Sequence, residues 1–392
     1  MRGTVVTTQT PDAPPVAASV QASAPRPSPH LVVDLATVRA RYAELRAALP
    51  EARIYYAVKA NPEPAVLAAL AGAGSGFDVA SPGEISQVLG LGAPPELLCY
   101  ANPVRKPAEV AAAAGAGVRL FVTDSAEDVD VLAAAAPGAS VMVRLAVDEA
   151  GAATPFGGKF GCSPAEAVSL LRRALALGLD VAGLSFHVGS QQVRPVAWAH
   201  AIGTAAQVAA GFGAPIRLLD LGGGFPVPYR DAVPALAEYA TTIRTAVRQH
   251  FPHRPPALAV EPGRFLVAEA GVLHACVVRV SRRHDGRRWV YADVGRYGGL
   301  AETEGEAIGY RLATEHDGGP EAPAVLAGPT CDGDDVLYRD VSLPVALRAG
   351  DTIRFLAAGA YCASYASVGF NGLPPLPVHC VDTGAGTSGS MR

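Results

Sequence analysis

The sequence carries no CxxC pair, no excess of basic charge and no long apolar run. Each absence removes a class of function. Thirty-two basic residues stand against 36 acidic ones, a formal net charge of −4 at pH 7. Without a basic stripe there is no electrostatic footprint for a phosphate backbone, which argues against a nucleic-acid partner. Apolar runs reach about 6–12 residues before Gly, Pro or charge interrupts them, short of the roughly 20 that a membrane-spanning helix needs. The six cysteines (Cys99, Cys162, Cys276, Cys331, Cys362 and Cys380) are scattered, as free thiols in a reducing compartment are. The opening MRGTVVTTQT lacks the charged-then-apolar profile of a secretory signal. A soluble cytoplasmic protein is expected, with no metal site.

Residues 1–30 contain six prolines and no Leu, Ile or aromatic residue. Such a stretch cannot offset its ordering entropy by burial, so a disordered tail is expected there and again over 383–392. What lies between is different. Half of the chain is hydrophobic and 17% charged, enough to bury a large core. Gly and Pro together make up about 19% of it, below the roughly 25–30% that signals low complexity.

One rhythm dominates this body. Short β-like runs begin at Arg53, Gly76, Leu97, Leu120, Val141, Val181, Ile216 and Ala257, separated by Ala/Leu-rich stretches with helical spacing. Eight strand-then-helix units match a (β/α)8 TIM barrel over 31–270, in an α/β fold class; an open doubly wound sheet is the alternative. After Gly271 the texture changes. VLHACVVRVSRRHDGRRWVYADVG reads as two strands about a turn at Asp285-Gly286, and strand-like pieces recur up to PVHCV. A separate β domain is expected over 271–382. LVVD, residues 31–34, either opens the barrel or forms a strand of that β domain.

Barrel enzymes place reacting groups at the carboxyl ends of their strands. Lys59 closes the first run, Asp78 and Ser81 the second, Asn102 the third and Asp124 the fourth, with Arg144 inside the fifth. His187 and Ser190 follow the sixth, Gly222-Gly223-Gly224 the seventh, and Glu261-Pro262-Gly263-Arg264 the eighth. A lone lysine ordinarily snorkels, but behind YYAV burial is expected to depress the pKa of Lys59 and free its amine for Schiff-base chemistry. Glycine loops after strands seven and eight are where barrel phosphate sites are built, because backbone N–H groups approach an anion there without a Cβ in the way. A lysine amine, a phosphate cradle, a ring to stack and a buried carboxylate together describe pyridoxal 5′-phosphate.

The order YYAVKAN, GFDVAS, YANP, KFG, SFHVGS, DLGGGFP, EPGR, GPTCDGDD, GAY, FNG resembles the fold type III pyridoxal-phosphate amino-acid decarboxylases. That family includes ornithine and diaminopimelate decarboxylases, and these motifs sit nearest the eukaryotic-type ornithine decarboxylases. The resemblance implies a homodimer of a barrel and a β-sandwich or β-barrel domain, with active sites shared across the interface, acting on a small amino acid in polyamine-type metabolism. It implies that Lys59 holds the cofactor, that His187 stacks on its ring and that Glu261 pairs with the pyridine nitrogen. Ser190, Gly223, Gly224, Gly263, Arg264 and Tyr361 would form the phosphate site, with Asp78 and Arg144 in support. Cys331 would protonate the substrate carbon from across the dimer interface, beside Asp332 and Phe370, which would bind substrate. TPFGGKFG around Lys159 reads either as a closing loop or as an ordinary connection.

CDGDD resembles the ornithine-decarboxylase side of the family, which implies that Asp332 binds a distal ammonium on the substrate, as in ornithine, lysine or a shorter diamino acid, with arginine also open. The stretch YADVGRYGGLAETEGEA departs from the ornithine pattern. Aligned without gaps, Glu306 falls at the second substrate-binding acid, with Glu302 and Glu304 as neighbours. Diaminopimelate decarboxylation, a specialised-pathway substrate and a non-catalytic regulatory homologue of the antizyme-inhibitor kind are the competing readings. Retention of Lys59, His187, Glu261 and Cys331 speaks against the last.

Overall fold

Residues 26–384 are described by a computed structural model. Eight parallel strands close a barrel: Ala52–Ala57, Gly76–Val79, Leu98–Tyr100, Leu120–Thr123, Ser140–Leu145, Asp180–Phe186, Leu218–Asp220 and Ala257–Val260. The last pairs with the first, Leu258 opposite Ala52. The eightfold rhythm is therefore a closed ring rather than an open sheet. Its strands read as short unbroken apolar runs because both faces are buried. Ile54 and Tyr56 join the large core under the helices, whereas Tyr55, Cys99, Val122, Met142, Ala182, Leu218 and Ala259 form a second cluster that fills the ring.

Proline-rich starts explain the helices that follow. In Pro82–Gly90 and Pro164–Ala176, proline opens the helix and the preceding Ser81 or Ser163 accepts from the N–H of Glu84 or Glu166. Proline there gives up an N–H that has no intrahelical partner anyway, and the serine satisfies another. No helix among the described residues is long and apolar enough to cross a membrane.

The strand His30–Asp34 leaves the barrel altogether. It pairs antiparallel with Gly271–Arg282, Val33 opposite Gly271, and parallel with Val378–Val381. Gly271–Arg282 forms a hairpin with Arg288–Ala292, and Arg311–Thr314, Glu321–Ala327, Val336–Pro344 and Thr352–Leu356 complete the eight-stranded sheet. The edge strand Arg311–Thr314 and the small pair Ala152–Thr154 with Ser190–Gln192 have no counterpart in the sequence-based expectation.

Two boundaries are corrected. Of the disordered head expected over 1–30, residues 1–25 lie outside the described residues, but His30 is buried in a strand. Its ring stacks on His274 with centroids 4.8 Å apart, and its Nδ1 lies 3.0 Å from the Pro27 carbonyl. Backbone pairing and imidazole stacking order this segment without any Leu or Ile. Of the tail expected over 383–392, residues 385–392 lie outside the described residues. Thr383, however, donates through its hydroxyl to the Asp34 carboxylate at 3.0 Å.

Candidate active site

The carboxyl ends of the barrel strands face the segment 301–307 of the β domain across a cavity of about 470 Å³. Lys59 sits in the single turn Val58–Ala60 directly after the first strand. That turn is clamped from the other domain: Tyr361 donates its backbone N–H to the Ala60 carbonyl, Ser364 its hydroxyl to the Lys59 carbonyl, and Asn61 its amide to the Gly359 carbonyl. The Lys59 ammonium donates to the buried Asp78 carboxylate at 2.7 Å. Burial does press its pKa down, but Asp78, Tyr361 and Glu261 together outweigh burial and raise it above the ordinary lysine value. The expectation of a depressed pKa is corrected: Lys59 is held as a cation.

His187 follows the sixth strand. The Gly189 N–H donates to its Nδ1 at 3.0 Å, which leaves Nε2 to carry the proton of the neutral ring. Burial, with Arg144 and Lys59 nearby, lowers its pKa well below the usual value. Phe156 meets this ring edge-on, centroids 4.8 Å apart. Arg144 packs over Phe160 and Phe156 at 4.8 and 5.5 Å and lines a smaller neighbouring pocket with His187, not the main cavity. The loop around Lys159 is tethered, since Glu149 accepts from the N–H of Phe156 and Gly157.

Glu261 is buried, and its Oε1 has no hydrogen-bond partner among the described residues. Burial, Asp220 and Asp78 push its carboxyl well above the usual range, and burial likewise pushes Asp220 up to about 6. Two carboxyls in one buried site cannot both ionise cheaply. An orphaned carboxylate oxygen beside them fits a protonated ring nitrogen. Asp220, held by the Gly222 N–H at 2.9 Å, is the residue that sequence reasoning passed over. It ends the seventh strand, and the adjoining glycine triplet drew the attention.

The glycine loops have no room for side chains. A Cβ at Gly224 would lie 2.4 Å from the Gly189 carbonyl oxygen, and one at Gly223 2.5 Å from that of Glu261. A Cβ at Gly263 would lie 2.9 Å from Ala60 Cβ and 3.5 Å from the Tyr361 hydroxyl. Arg264 donates to Ser190 at 3.1 Å, to the Tyr229 hydroxyl at 2.8 Å, and to both oxygens of Glu302 at 2.5 and 2.8 Å. Its guanidinium lies 5.0 Å from the centre of the Tyr361 ring. These groups form a compact donor set at the rim of strands six to eight, and they suit a phosphate as the lysine, imidazole and carboxylate suit a pyridoxal ring.

The remaining candidates lie apart. Cys331 and Asp332 are exposed, and within one chain neither lines the cavity. Asn371 fixes Cys331 by accepting from its N–H and donating to its sulfur at 3.3 Å. Asp335 closes the same loop by accepting from Thr330 and from the Arg296 N–H. Phe370 packs on Tyr297 at 4.7 Å. Of the three candidate acids, Glu306 does not line the cavity. Gly305 and Glu306 both adopt left-handed φ values, 59° and 58°, which turns the Glu306 carboxylate onto the Arg339 N–H at 2.7 Å. Glu302 and Glu304 line the cavity instead.

A family model described as "Pyridoxal-dependent decarboxylase, pyridoxal binding domain" matches residues 35–268. The lysine/ornithine decarboxylase of Selenomonas ruminantium is 38% identical over 350 residues, covering 88% of each chain. The ornithine decarboxylase of Schizosaccharomyces pombe is 34% identical over 370 residues, covering 90% of this chain and 83% of that one. The structure of lysine/ornithine decarboxylase from Vibrio vulnificus, complexed with cadaverine, superposes with a TM-score of 0.83 at 32% identity, covering 93% of this chain and 97% of that one. The chain belongs to the pyridoxal-dependent decarboxylases of fold type III and is a pyridoxal-phosphate-dependent amino-acid decarboxylase.

Proposed function

We propose that this enzyme removes the α-carboxylate of a basic α,ω-diamino acid such as lysine or ornithine, releasing CO2 and a diamine. The observation that carries this reading is the sign of the cavity wall. Its two cations, Lys59 and Arg264, are each already paired with a carboxylate, and Glu304, which bridges Arg296 at 3.1 Å, adds at the rim a further acid whose side chain stays 75% exposed. A cationic side-chain terminus finds a counter-charge there, and the second carboxylate of diaminopimelate would not. The similarity to enzymes named for lysine and ornithine supports the same choice.

In this reading Lys59 would hold pyridoxal phosphate covalently, His187 would lie against its ring, and Glu261 would accept from its nitrogen. Ser190, Gly223, Gly224, Gly263, Arg264 and Tyr361 hold the phosphate. When bound, the cofactor supplies the sink for the electron pair left at Cα as CO2 departs. Asp78 would hold the Lys59 nitrogen when it is free as the ammonium, and the buried Glu261–Asp220 pair would retain negative charge where the ring nitrogen needs it. Phe156 covers the imidazole and limits water. Cys331 and Asp332, presented on a rigid loop, serve the cavity of a second protomer in a two-fold dimer. There Cys331 returns a proton to Cα, and Asp332 takes the distal ammonium.

The test is a substrate panel. Purified enzyme is incubated with lysine, ornithine, arginine, 2,4-diaminobutyrate and diaminopimelate, with CO2 and amine detected together. Release from lysine or ornithine is expected; release from diaminopimelate alone, or from none of these, overturns the reading.

A further inference from the structure

Arg264 has five N–H donors, as every guanidinium does. Four of them are engaged: one with Tyr229, one with Ser190 and two with the carboxylate of Glu302. The fifth, on Nε, is buried and has no partner among the described residues. The ion pair is deep, with side chains only 4% and 11% exposed. Glu302 stands on the short irregular segment Ala301–Glu306, where this sequence departs from the ornithine-decarboxylase pattern. It therefore satisfies, from inside the same chain, the guanidinium that the reading above gives to the cofactor phosphate.

We infer that Glu302 is a built-in competitor for the phosphate site: its carboxylate and the cofactor phosphate draw on the same guanidinium hydrogens, so cofactor affinity is set by the exchange of one anion for the other. This rests on the assignment of Arg264 to the phosphate. Two anions cannot share the site without cost, because both would sit within a few ångströms of each other in a buried, poorly screened place. A fork-to-carboxylate pair is among the stronger hydrogen-bonded contacts available to an arginine. Binding of the phosphate thus gives up one good pair to make another, and the net affinity is lower than the donor set alone would provide. The segment 301–306 also forms part of the wall of the substrate cavity, so a displaced Glu302 returns a free carboxylate to the surface that receives a cationic substrate.

The experiment uses the full chain and reads cofactor binding rather than turnover. Pyridoxal phosphate release from purified holoenzyme is followed by its visible absorbance after dilution, and the dissociation constant is measured by titrating the stripped enzyme. Inorganic phosphate is titrated in parallel by thermal shift. Glu302→Gln keeps the shape and removes the charge; about tenfold tighter cofactor binding, slower release and a larger phosphate-induced shift are expected. Glu302→Asp retains an anion and is expected to stay nearer the parent. Arg264→Gln is expected to weaken binding at least about tenfold. Should Glu302→Gln not accumulate as folded protein, Glu302→Ser is read in the same way. Unchanged or weaker binding in the charge-removing variant, with Arg264→Gln still weakened, overturns the inference and leaves the phosphate assignment standing. Unchanged binding in Arg264→Gln overturns that assignment itself.

Discussion

Lys59 shows how one neighbour reverses an expectation drawn from polarity alone. The apolar run before it is buried, yet Lys59 itself reaches into the open cavity with its side chain 47% exposed, and the carboxylate of Asp78, 19 positions along the chain, faces its ammonium at 2.7 Å. Coulomb attraction to the buried Asp78 carboxylate, with Tyr361 and Glu261, outweighs desolvation there. Removing the charge in Asp78→Asn leaves burial unopposed by its nearest partner, so the amine pKa must fall. The pH midpoint at which the protein captures pyridoxal phosphate as a coloured Schiff base is expected to move down by about one to two units, checked by absorbance across a pH series. Gly224 makes a steric prediction of a different kind. At φ +100°, with a Cβ 2.4 Å from the Gly189 oxygen, Gly224→Ala is expected to lower stability by about 1–3 kcal/mol, read by denaturant melting.

At the scale of elements, the eight barrel strands were legible because burial on both faces imprints an unbroken apolar run, and the helices because Ala/Leu-rich stretches between them keep helical spacing. The strand at His30–Asp34 was only half legible. Leu31–Asp34 carry an apolar signature, but the burial of His30 depends on His274 and His379, which belong to strands distant in sequence. No local pattern records a stack of rings. The same limit applied to the site. Glu302 could be named as one of three nearby acids, but only the left-handed turn at Gly305 and Glu306 decides which carboxylate enters the cavity. The histidine cluster carries its own pH dependence. Burial, with His30, Arg354 and Arg26 close by, lowers His274 to about 4 from 6.5. The unfolded chain therefore takes up a proton near 6.5 that the folded chain refuses until about 4. Stability is full above that window and is lost as the pH falls through it. Thermal melting is expected to decline over this range and to decline less in His274→Gln.

At the scale of the whole molecule, Asn371 ties the exposed loop bearing Cys331 to the segment 365–373, where Tyr365, Val368, Phe370 and Leu373 are exposed, with Val368 at 88%. A cluster of uncovered apolar side chains next to a rigidly held thiol is what a shared interface between two copies requires. Mixing two inactive variants tests it. Lys59→Ala and Cys331→Ala each lose activity alone. Co-refolded in equal amounts, they are expected to regain about a quarter of parent activity, since half of the random dimers carry one intact site of two. No recovery would place Cys331 outside the second protomer's site. The role proposed for Cys331 rests only on its resemblance to a known motif, because an exposed cysteine 3.3 Å from an asparagine amide announces no chemistry by itself.

The pairing of Val33 with Gly271 has a mechanical consequence. The barrel is spliced into the β domain, leaving through Asp34 and returning at Gly271, so two neighbouring strands of one sheet carry both covalent crossings. A single connection would act as a swivel, whereas two side by side act as a double strap and resist rotation of one body against the other. Opening the cavity for cofactor or substrate therefore falls to local pieces, the tethered loop at Phe156 and the short segment holding Glu302, rather than to a swing of whole domains.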